Sequence, residues 1–162
     1  MADQVYTVSQ AVDKAMKFCA YQERCQTEVR QKLRSFQLTE LQREEVIAEL
    51  IEQDFLNEER FSKAFSRGKF RIKSWGKNMI RQALFQKQIS EYCINKGLLE
   101  IEDEEYLITL DKLIEKTLNK YTGIQYYQKE AKTAQYLIGR GFESNLVWDQ
   151  IKSFNNDERR SN

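Results

Sequence analysis

The sequence has neither proline nor histidine, and glycine occurs only six times in 162 residues. Folds rich in β-sheet need many tight turns, and such turns depend on the backbone conformations of glycine and proline. Both residues are scarce here, while the apolar residues recur at helical spacing along nearly the whole chain. We therefore predict an all-α fold in which short connections join the helices.

The absence of histidine also restricts the possible chemistry. Without it the chain has no Ser–His or Cys–His nucleophile pair and no usual general base near neutral pH. Cys19, Cys25 and Cys93 are widely spaced and lack the histidines that often complete a zinc site. We interpret them as reduced thiols in a cytosolic protein, at core or boundary positions. The sequence predicts no enzymatic activity, no metal site and no cofactor.

Long apolar runs are missing as well. No segment reaches about eighteen apolar residues, and the N-terminus does not show the pattern of a signal peptide. We expect a soluble protein of the cytoplasm that makes no contact with a membrane.

The predicted helices recur in groups of three. Leu33, Leu84 and Leu137 occupy equivalent places in the middle helix of each group, with a period of roughly fifty residues. This period predicts three tandem three-helix repeats in an elongated or curved body, and an ordinary nine-helix bundle is the alternative. The predicted segments are an N-terminal extension (1–8), the three repeats (9–55, 56–100 and 101–154) and a polar C-terminal tail (155–162).

Several helix ends carry local signals. Thr39 with Gln42 forms a capping box, and Cys25 with Glu28 lies where a second one is expected, although cysteine is a poor cap. Gly97 is predicted to end a helix as a C-cap, and so is the segment 139–141. An anion site at this last segment is the alternative to a C-cap with an adjoining cation. The acidic pair at 58–59 and the acidic cluster at 102–105 are better explained as the first residues of helices than as metal ligands.

The middle repeat is strongly basic. Between residues 62 and 90 there are eight bases and no acid. Lys63, Arg67 and Arg71 are four residues apart and form one stripe along a helix. Such like charges destabilise a helix by about 0.2–0.5 kcal/mol per pair, and we expect no acidic neighbour in the same repeat to offset this. An anionic partner is therefore one interpretation of the stripe.

Two aromatic residues, Phe70 and Trp75, lie among these bases. They fit a surface that binds nucleic acid or anchors a protein, and they fit the core equally well. The alternative for the bases is a solvated face neutralised by the acidic helix between residues 40 and 54. The sequence leaves open whether the partner offers phosphate or carboxylate. The candidate interaction surface comprises Lys63, Arg67, Lys69, Arg71, Lys73, Trp75, Lys77, Arg81 and Lys87.

Four segments resemble a known family. Residues 57–67 read NEERFSKAFSR, and residues 75–89 run from Trp-Gly-Lys through a basic helix. Residues 136–142 read YLIGRGF, and residues 28–33 read EVRQKL. In this order and spacing they resemble the RecX family of bacterial recombination regulators over residues 9–154. The loop at 74–76 departs from the family pattern by having one glycine where the family has two.

The resemblance implies three tandem three-helix repeats that form a curved rod. It also implies binding to the RecA filament on single-stranded DNA, with restraint of strand exchange, ATP hydrolysis and co-protease activity. We expect a monomer that binds single-stranded DNA weakly or through the filament. The main alternative is a stand-alone helical protein that binds nucleic acid without sequence preference. A structural adaptor that binds neither ligand is a third possibility.

Overall fold

The computed structural model describes residues 4–161, with side chains described as far as residue 157. This range holds nine α-helices and one 3₁₀ turn (Arg34–Phe36) and contains no strand, which confirms the predicted all-α class. Of the predicted terminal segments, residues 1–3 and 162 lie outside the described range. The helices are α1 Val8–Tyr21, α2 Gln26–Leu33, α3 Glu40–Glu52, α4 Glu58–Lys73, α5 Lys77–Gln86, α6 Glu91–Leu98, α7 Asp103–Lys120, α8 Tyr126–Gly139 and α9 Ser144–Ser161.

The chain divides into two compact units. The N-terminal unit comprises Met1–Phe65 and Leu84–Gly97, and the C-terminal unit comprises Ser66–Ala83 and Leu98–Asn162. The segment 56–100, predicted as the middle repeat, therefore contributes residues to both units.

Each unit buries its own apolar residues. In the N-terminal unit, α1, α2 and α3 enclose side chains such as Leu33 and Leu50, which are fully buried. In the C-terminal unit, α7, α8 and α9 contact one another, and Leu110, Leu137 and Phe142 are fully buried. The apolar positions with helical spacing thus become the cores, as amphipathic helices require.

Local sequence signals set several helix starts. The Thr39 hydroxyl accepts a hydrogen bond from the Gln42 N–H (3.2 Å), and the Gln42 side chain accepts one from the Thr39 N–H (2.9 Å). This reciprocal pair is the predicted capping box of α3. At the start of α2 the Glu28 carboxylate accepts a hydrogen bond from the Cys25 N–H (3.2 Å), so the acidic half of that box also forms.

Glycine has two different roles at the predicted helix ends. Gly141 has a φ of 98° just after α8, so the predicted stop near residues 139–141 is confirmed. Gly97 lies inside α6 and does not have a positive φ, so the predicted C-cap there is wrong. A Cβ at Gly97 would lie 2.6 Å from the Ser62 carbonyl oxygen and 2.8 Å from its carbon. The close approach of α6 to α4, and not a turn, requires glycine at this position.

Neither a membrane crossing nor a metal cluster is found in the described part of the chain. No helix there combines the length and the apolar character that a bilayer crossing needs. Among the same residues no three acids or cysteines are grouped so that they could hold a metal ion. The three cysteines are free thiols, and Cys19 and Cys25 are buried.

The buried thiol of Cys19 makes stability depend on pH. Burial raises its pKa from 9.0 to about 11, so the folded chain keeps a proton that the unfolded chain releases. The stabilisation is complete below pH 9 and is lost as the pH rises through 11. We expect Cys19 to lower the free energy of unfolding by about 2 kcal/mol between about pH 8 and 11. Urea unfolding of the wild type and of Cys19→Ala should show a smaller decrease in the variant, and equal decreases would contradict this assignment.

Candidate interaction surface

Helix α4 carries the predicted basic stripe. It begins after Asn57, whose side-chain oxygen accepts a hydrogen bond from the Arg60 N–H (2.9 Å), and it ends at Lys73. Ser74 then adopts a φ of 53°, which breaks the helix at the predicted place. Of the nine predicted surface residues, Lys63 and Lys87 belong to the N-terminal unit and the other seven belong to the C-terminal unit.

The stripe has carboxylate partners, which corrects one expectation. Lys63 Nζ lies 3.3 Å from a carboxylate oxygen of Glu59 on the same helix. In the C-terminal unit Arg67 Nη1 lies 3.1 Å from Glu100 Oε2. The expectation that the repeat offers no acidic neighbour is therefore wrong. It fails for Lys63 because Glu59 lies one helical turn away, just before the segment 62–90, and for Arg67 because folding brings residue 100, which is distant in sequence, beside α4.

Arg71 is also paired, through its Nε at 3.4 Å from Glu105 Oε1. Lys63 thus pairs with an acid of α4 itself, and Arg67 and Arg71 pair with acids of the segment 100–105. The side chains of these pairs are 33–56% exposed. Ion pairs so exposed contribute at most about 1 kcal/mol each, so an anionic partner can exchange with the carboxylates at small cost.

Lys87 has structural contacts in the N-terminal unit. Its Nζ lies 3.1 Å from Glu28 Oε1, and its backbone carbonyl accepts a hydrogen bond from the Thr27 hydroxyl (2.9 Å). The ammonium group also lies 5.8 Å from the centre of the Phe65 ring. Lys87 therefore helps to hold α2 beside the end of α5.

The aromatic residues of the predicted surface differ in burial. Phe70 is 2% exposed and packs against the Tyr106 ring, with 5.7 Å between ring centres, so it belongs to the core. Trp75 is half-buried, and Lys69 Nζ lies 4.9 Å from the centre of its ring. Of the remaining predicted bases, Lys73 is exposed and Arg81 is half-buried.

Two segments of the family pattern meet in the C-terminal unit. The Gly76 N–H donates to the Arg140 carbonyl (2.9 Å), and the Asn78 N–H donates to the Gly141 carbonyl (2.9 Å). In return the Arg140 guanidinium donates to the backbone carbonyl of Lys73. The Trp-Gly-Lys loop and the Arg-Gly-Phe turn are therefore joined backbone to backbone, which explains why both contain glycine.

Tyr106 fixes the start of α5. Its hydroxyl donates to Glu143 Oε2 (2.7 Å) and accepts a hydrogen bond from the Lys77 N–H (3.0 Å). Burial raises the pKa of this phenol far above its ordinary value, so the hydroxyl keeps its proton and remains a donor. Lys77 Nζ lies 4.8 Å from the centre of the Tyr106 ring and 3.5 Å from Asp103 Oδ1. Lys77 is thus held in place by α7.

A second cationic region, in the third repeat, was not predicted. Between residues 116 and 140 there are five bases and one acid. Lys132 Nζ lies 5.5 Å from the centre of the Tyr121 ring, and the Arg140 guanidinium lies 6.0 Å from the centre of the Tyr136 ring. The sequence carried a signal for this region, because Lys132, Tyr136 and Arg140 recur every four residues on one helix face.

Comparison with known proteins identifies the family. Residues 57–98 match the model of the second three-helix domain of RecX, and residues 103–151 match that of the third. Among curated proteins, "Regulatory protein RecX" of Bacillus cytotoxicus is 25% identical over 156 residues, which are 94% of this chain and 58% of the relative. The protein of the same name in Lactobacillus gasseri is 26% identical over 138 residues, which are 85% of this chain and 51% of the relative. The chain thus spans just over half the length of these curated relatives.

Solved structures agree with these matches. The crystal structure of RecX from Lactobacillus salivarius has a TM-score of 0.83 and 26% identity, covering 91% of this chain and 96% of that one. A second crystal structure, of a regulatory protein RecX, has a TM-score of 0.81 and 25% identity, covering 90% of this chain and 73% of that one. The two three-helix domain models together cover more than half of the chain. This protein, built of three-helix repeats, belongs to the RecX family.

Proposed function

We propose that this protein binds RecA filaments on single-stranded DNA and down-regulates their recombinase, ATPase and co-protease activities. The observation that carries the proposal is the match of residues 57–98 and 103–151 to consecutive RecX domains. The name shared by the curated relatives, regulatory protein RecX, supports a regulatory role. In this proposal the protein acts in the cytoplasm as a monomer, without a cofactor and without chemistry of its own.

The bases of the middle repeat contact the filament in this proposal. Arg71 and Lys73 are exposed at the end of α4, and the Arg71–Glu105 pair is weak enough to be exchanged for an anion of the partner. Lys69 and Trp75 lie beside them and offer a cation on an aromatic ring. Arg67, Lys77 and Arg81 extend this surface. Lys63 and Lys87 belong to the N-terminal unit and are proposed as separate contacts of that unit.

The proposal is tested by measuring binding to three ligands. These are bare single-stranded DNA, RecA alone, and RecA assembled on the DNA with a slowly hydrolysed ATP analogue. We expect the assembled filament to bind most tightly, by about tenfold or more over bare DNA near 0.1 M salt, with inhibition of ATP hydrolysis by RecA. Equal affinity for filament and bare DNA, falling steeply with salt, would identify a stand-alone nucleic-acid-binding protein instead.

Neutralising Arg71 and Lys73 tests the assigned surface. The double variant Arg71→Gln/Lys73→Gln should weaken filament binding by about threefold or more near 0.1 M salt and reduce its salt dependence, because exposed charges at an interface act over about a Debye length. Lys17→Gln/Lys152→Gln removes the same charge from exposed positions elsewhere and serves as the matched control. Equal filament affinity of the two variants would remove these bases from the interface.

A further inference from the structure

The second cationic region occupies one flank of α8 in the C-terminal unit. Lys129, Lys132 and Tyr136 are spaced three and four residues apart, so they lie along one side of the helix, and Arg140, the residue after its last turn, continues the same spacing. Tyr121, at the end of α7, adds a ring beside Lys132. We call these five residues the α8 strip.

The strip differs from the middle repeat in its electrostatics. Arg67 and Arg71 have carboxylate partners, whereas no carboxylate in the described part of the chain pairs with Lys129, Lys132 or Arg140. Glu130, the one acid of α8, accepts a hydrogen bond from the Asn155 amide (2.8 Å). These cations of the strip therefore have no ion-pair partner among the described residues, and a polyanion gains more from binding there than at bases that already have partners.

The strip also offers two aromatic rings, one of them exposed and one half-buried. Tyr136 is 47% exposed, and the Arg140 guanidinium lies near its ring. Lys132 holds the same relation to Tyr121, which is half-buried. A flexible strand of nucleotides presents alternating phosphates and bases, and cations interleaved with rings match both groups. A protein surface of carboxylates would pair with the cations but would not stack on the rings.

We infer that the α8 strip binds single-stranded DNA, with a base stacked on Tyr136 and the adjacent phosphates beside Lys132 and Arg140. The inference rests on the proposed function, because single-stranded DNA is the strand on which RecA assembles in that proposal. It places direct DNA contact in the third repeat and leaves the middle repeat for the protein part of the filament. Bare DNA affinity and filament affinity are then controlled by different residues.

The chain offers a matched control for the strip. In the N-terminal unit, Tyr92 is 63% exposed, and Lys96 Nζ lies 5.4 Å from the centre of its ring. Removing this pair changes the same residue types and the same charge as removing Lys132 and Tyr136. The comparison therefore separates the effect of where the residues lie on the molecule from the effect of losing one lysine and one tyrosine. Both double variants lose largely exposed groups, and circular dichroism should show unchanged helix content for each.

The first experiment measures fluorescence anisotropy of a labelled oligothymidylate of about 20 nucleotides at about 50 mM salt. Lys132→Ala/Tyr136→Ala should bind at least about tenfold more weakly than the wild type, and Tyr92→Ala/Lys96→Ala should stay within about twofold. The slope of log affinity against log salt concentration should decrease by the amount expected for about one phosphate contact, and it should do so in the first variant only. Equal affinity of the strip variant and the wild type would overturn the inference.

A second experiment separates stacking from charge. Tyr136→Phe should keep the affinity for oligothymidylate, Tyr136→Ala should lower it by about fivefold or more, and neither should change binding to an abasic oligonucleotide of equal length. An equal loss on both oligonucleotides would show that Tyr136 only supports the helix and would contradict stacking. The affinity for RecA filaments is measured separately. If the protein binds filaments no more tightly than bare DNA while the oligonucleotide results hold, the proposed function fails and the strip assignment stands.

Discussion

Replacing Gly76 by alanine is expected to lower the free energy of unfolding by about 3 kcal/mol or more. The Gly76 N–H already donates to the Arg140 carbonyl, which brings the two backbones together. A Cβ at residue 76 would lie against the carbonyl carbon of Gly141 and the nitrogen of Phe142, far inside the 3.4–4 Å of ordinary contact. These are backbone atoms, so no side-chain rotation relieves the overlap, and the loop must separate from the turn.

Gly68→Ala is the matched control for this change. Gly68 also lies in the C-terminal unit, in α4, and a Cβ there meets nothing within 4 Å. Alanine in a helix interior is more stable than glycine by about 0.5–1 kcal/mol, so this variant should be neutral or slightly stabilised. Thermal unfolding followed by circular dichroism should place the midpoint of Gly76→Ala about 6–12 °C below the wild type. Similar midpoints for the two variants would show that the loop can move away from the turn without cost.

Hydrogen exchange locates the effect of Gly76→Ala. The hydrogen bonds from Gly76 and Asn78 to residues 140 and 141 tie the start of α5 to the end of α8. We expect loss of amide protection there and retained protection in α1, α2 and α3, which build the core of the N-terminal unit. Uniform loss across the chain would mean that the glycine contact supports both units.

The sequence allowed the helices and several of their ends to be predicted because those signals are local. The capping box at Thr39 involves residues three apart, and apolar spacing along α4 or α8 is read within a few turns. The break after α3 was also predictable, and Asp54 takes a positive φ there. The period of roughly fifty residues predicted the grouping in threes, the family resemblance implied the same, and the matches to a second and a third three-helix domain agree with it.

The candidate site was harder to predict because its partners are far apart in sequence. Arg67 and Glu100 are separated by 33 residues and Arg71 and Glu105 by 34. Both acids lie outside the segment 62–90, so these arginines were expected to lack partners, whereas folding supplies them. In the third repeat the acids at 102–105 offset the basic segment that follows in the net charge of the repeat. The excess of bases between 116 and 140 and the place of Tyr136 among them can be read from the sequence, whereas the contact of Lys132 with Tyr121 at the end of α7 cannot.

The ion pairs of Arg67 and Arg71 make charge reversal an ambiguous test of the proposed interface. Arg67 and Arg71 lie 3.1 and 3.4 Å from carboxylate oxygens, so charge reversal at either residue would place a second acid near Glu100 or Glu105 in addition to removing a contact with a partner. A loss of binding would then mix repulsion within the protein with loss of the interface. Neutral glutamine at exposed Arg71 and Lys73 avoids this repulsion.

Gly97→Asn distinguishes two explanations of a helix-end glycine. Asparagine tolerates the left-handed conformation, so at a C-cap it would cost little relative to alanine. Gly97 instead has helical backbone and lies against Ser62, with the carbonyl oxygen of that residue 2.6 Å from the position of a Cβ. We therefore expect Gly97→Asn and Gly97→Ala both to destabilise the N-terminal unit by about 3 kcal/mol or more. Urea unfolding of the two variants measures this cost.

Ser62→Ala provides the second arm of a double-mutant cycle with Gly97→Ala. The Ser62 hydroxyl is buried, and it is one of the atoms that a Cβ at residue 97 would overlap. Removing it should recover part of the cost of Gly97→Ala, but not all, because the backbone carbonyl of Ser62 remains in the way. Full recovery would mean that only the hydroxyl opposes a side chain at 97. No recovery would mean that the helix backbones alone set the spacing of α4 and α6, and then no side chain larger than hydrogen fits at this crossing.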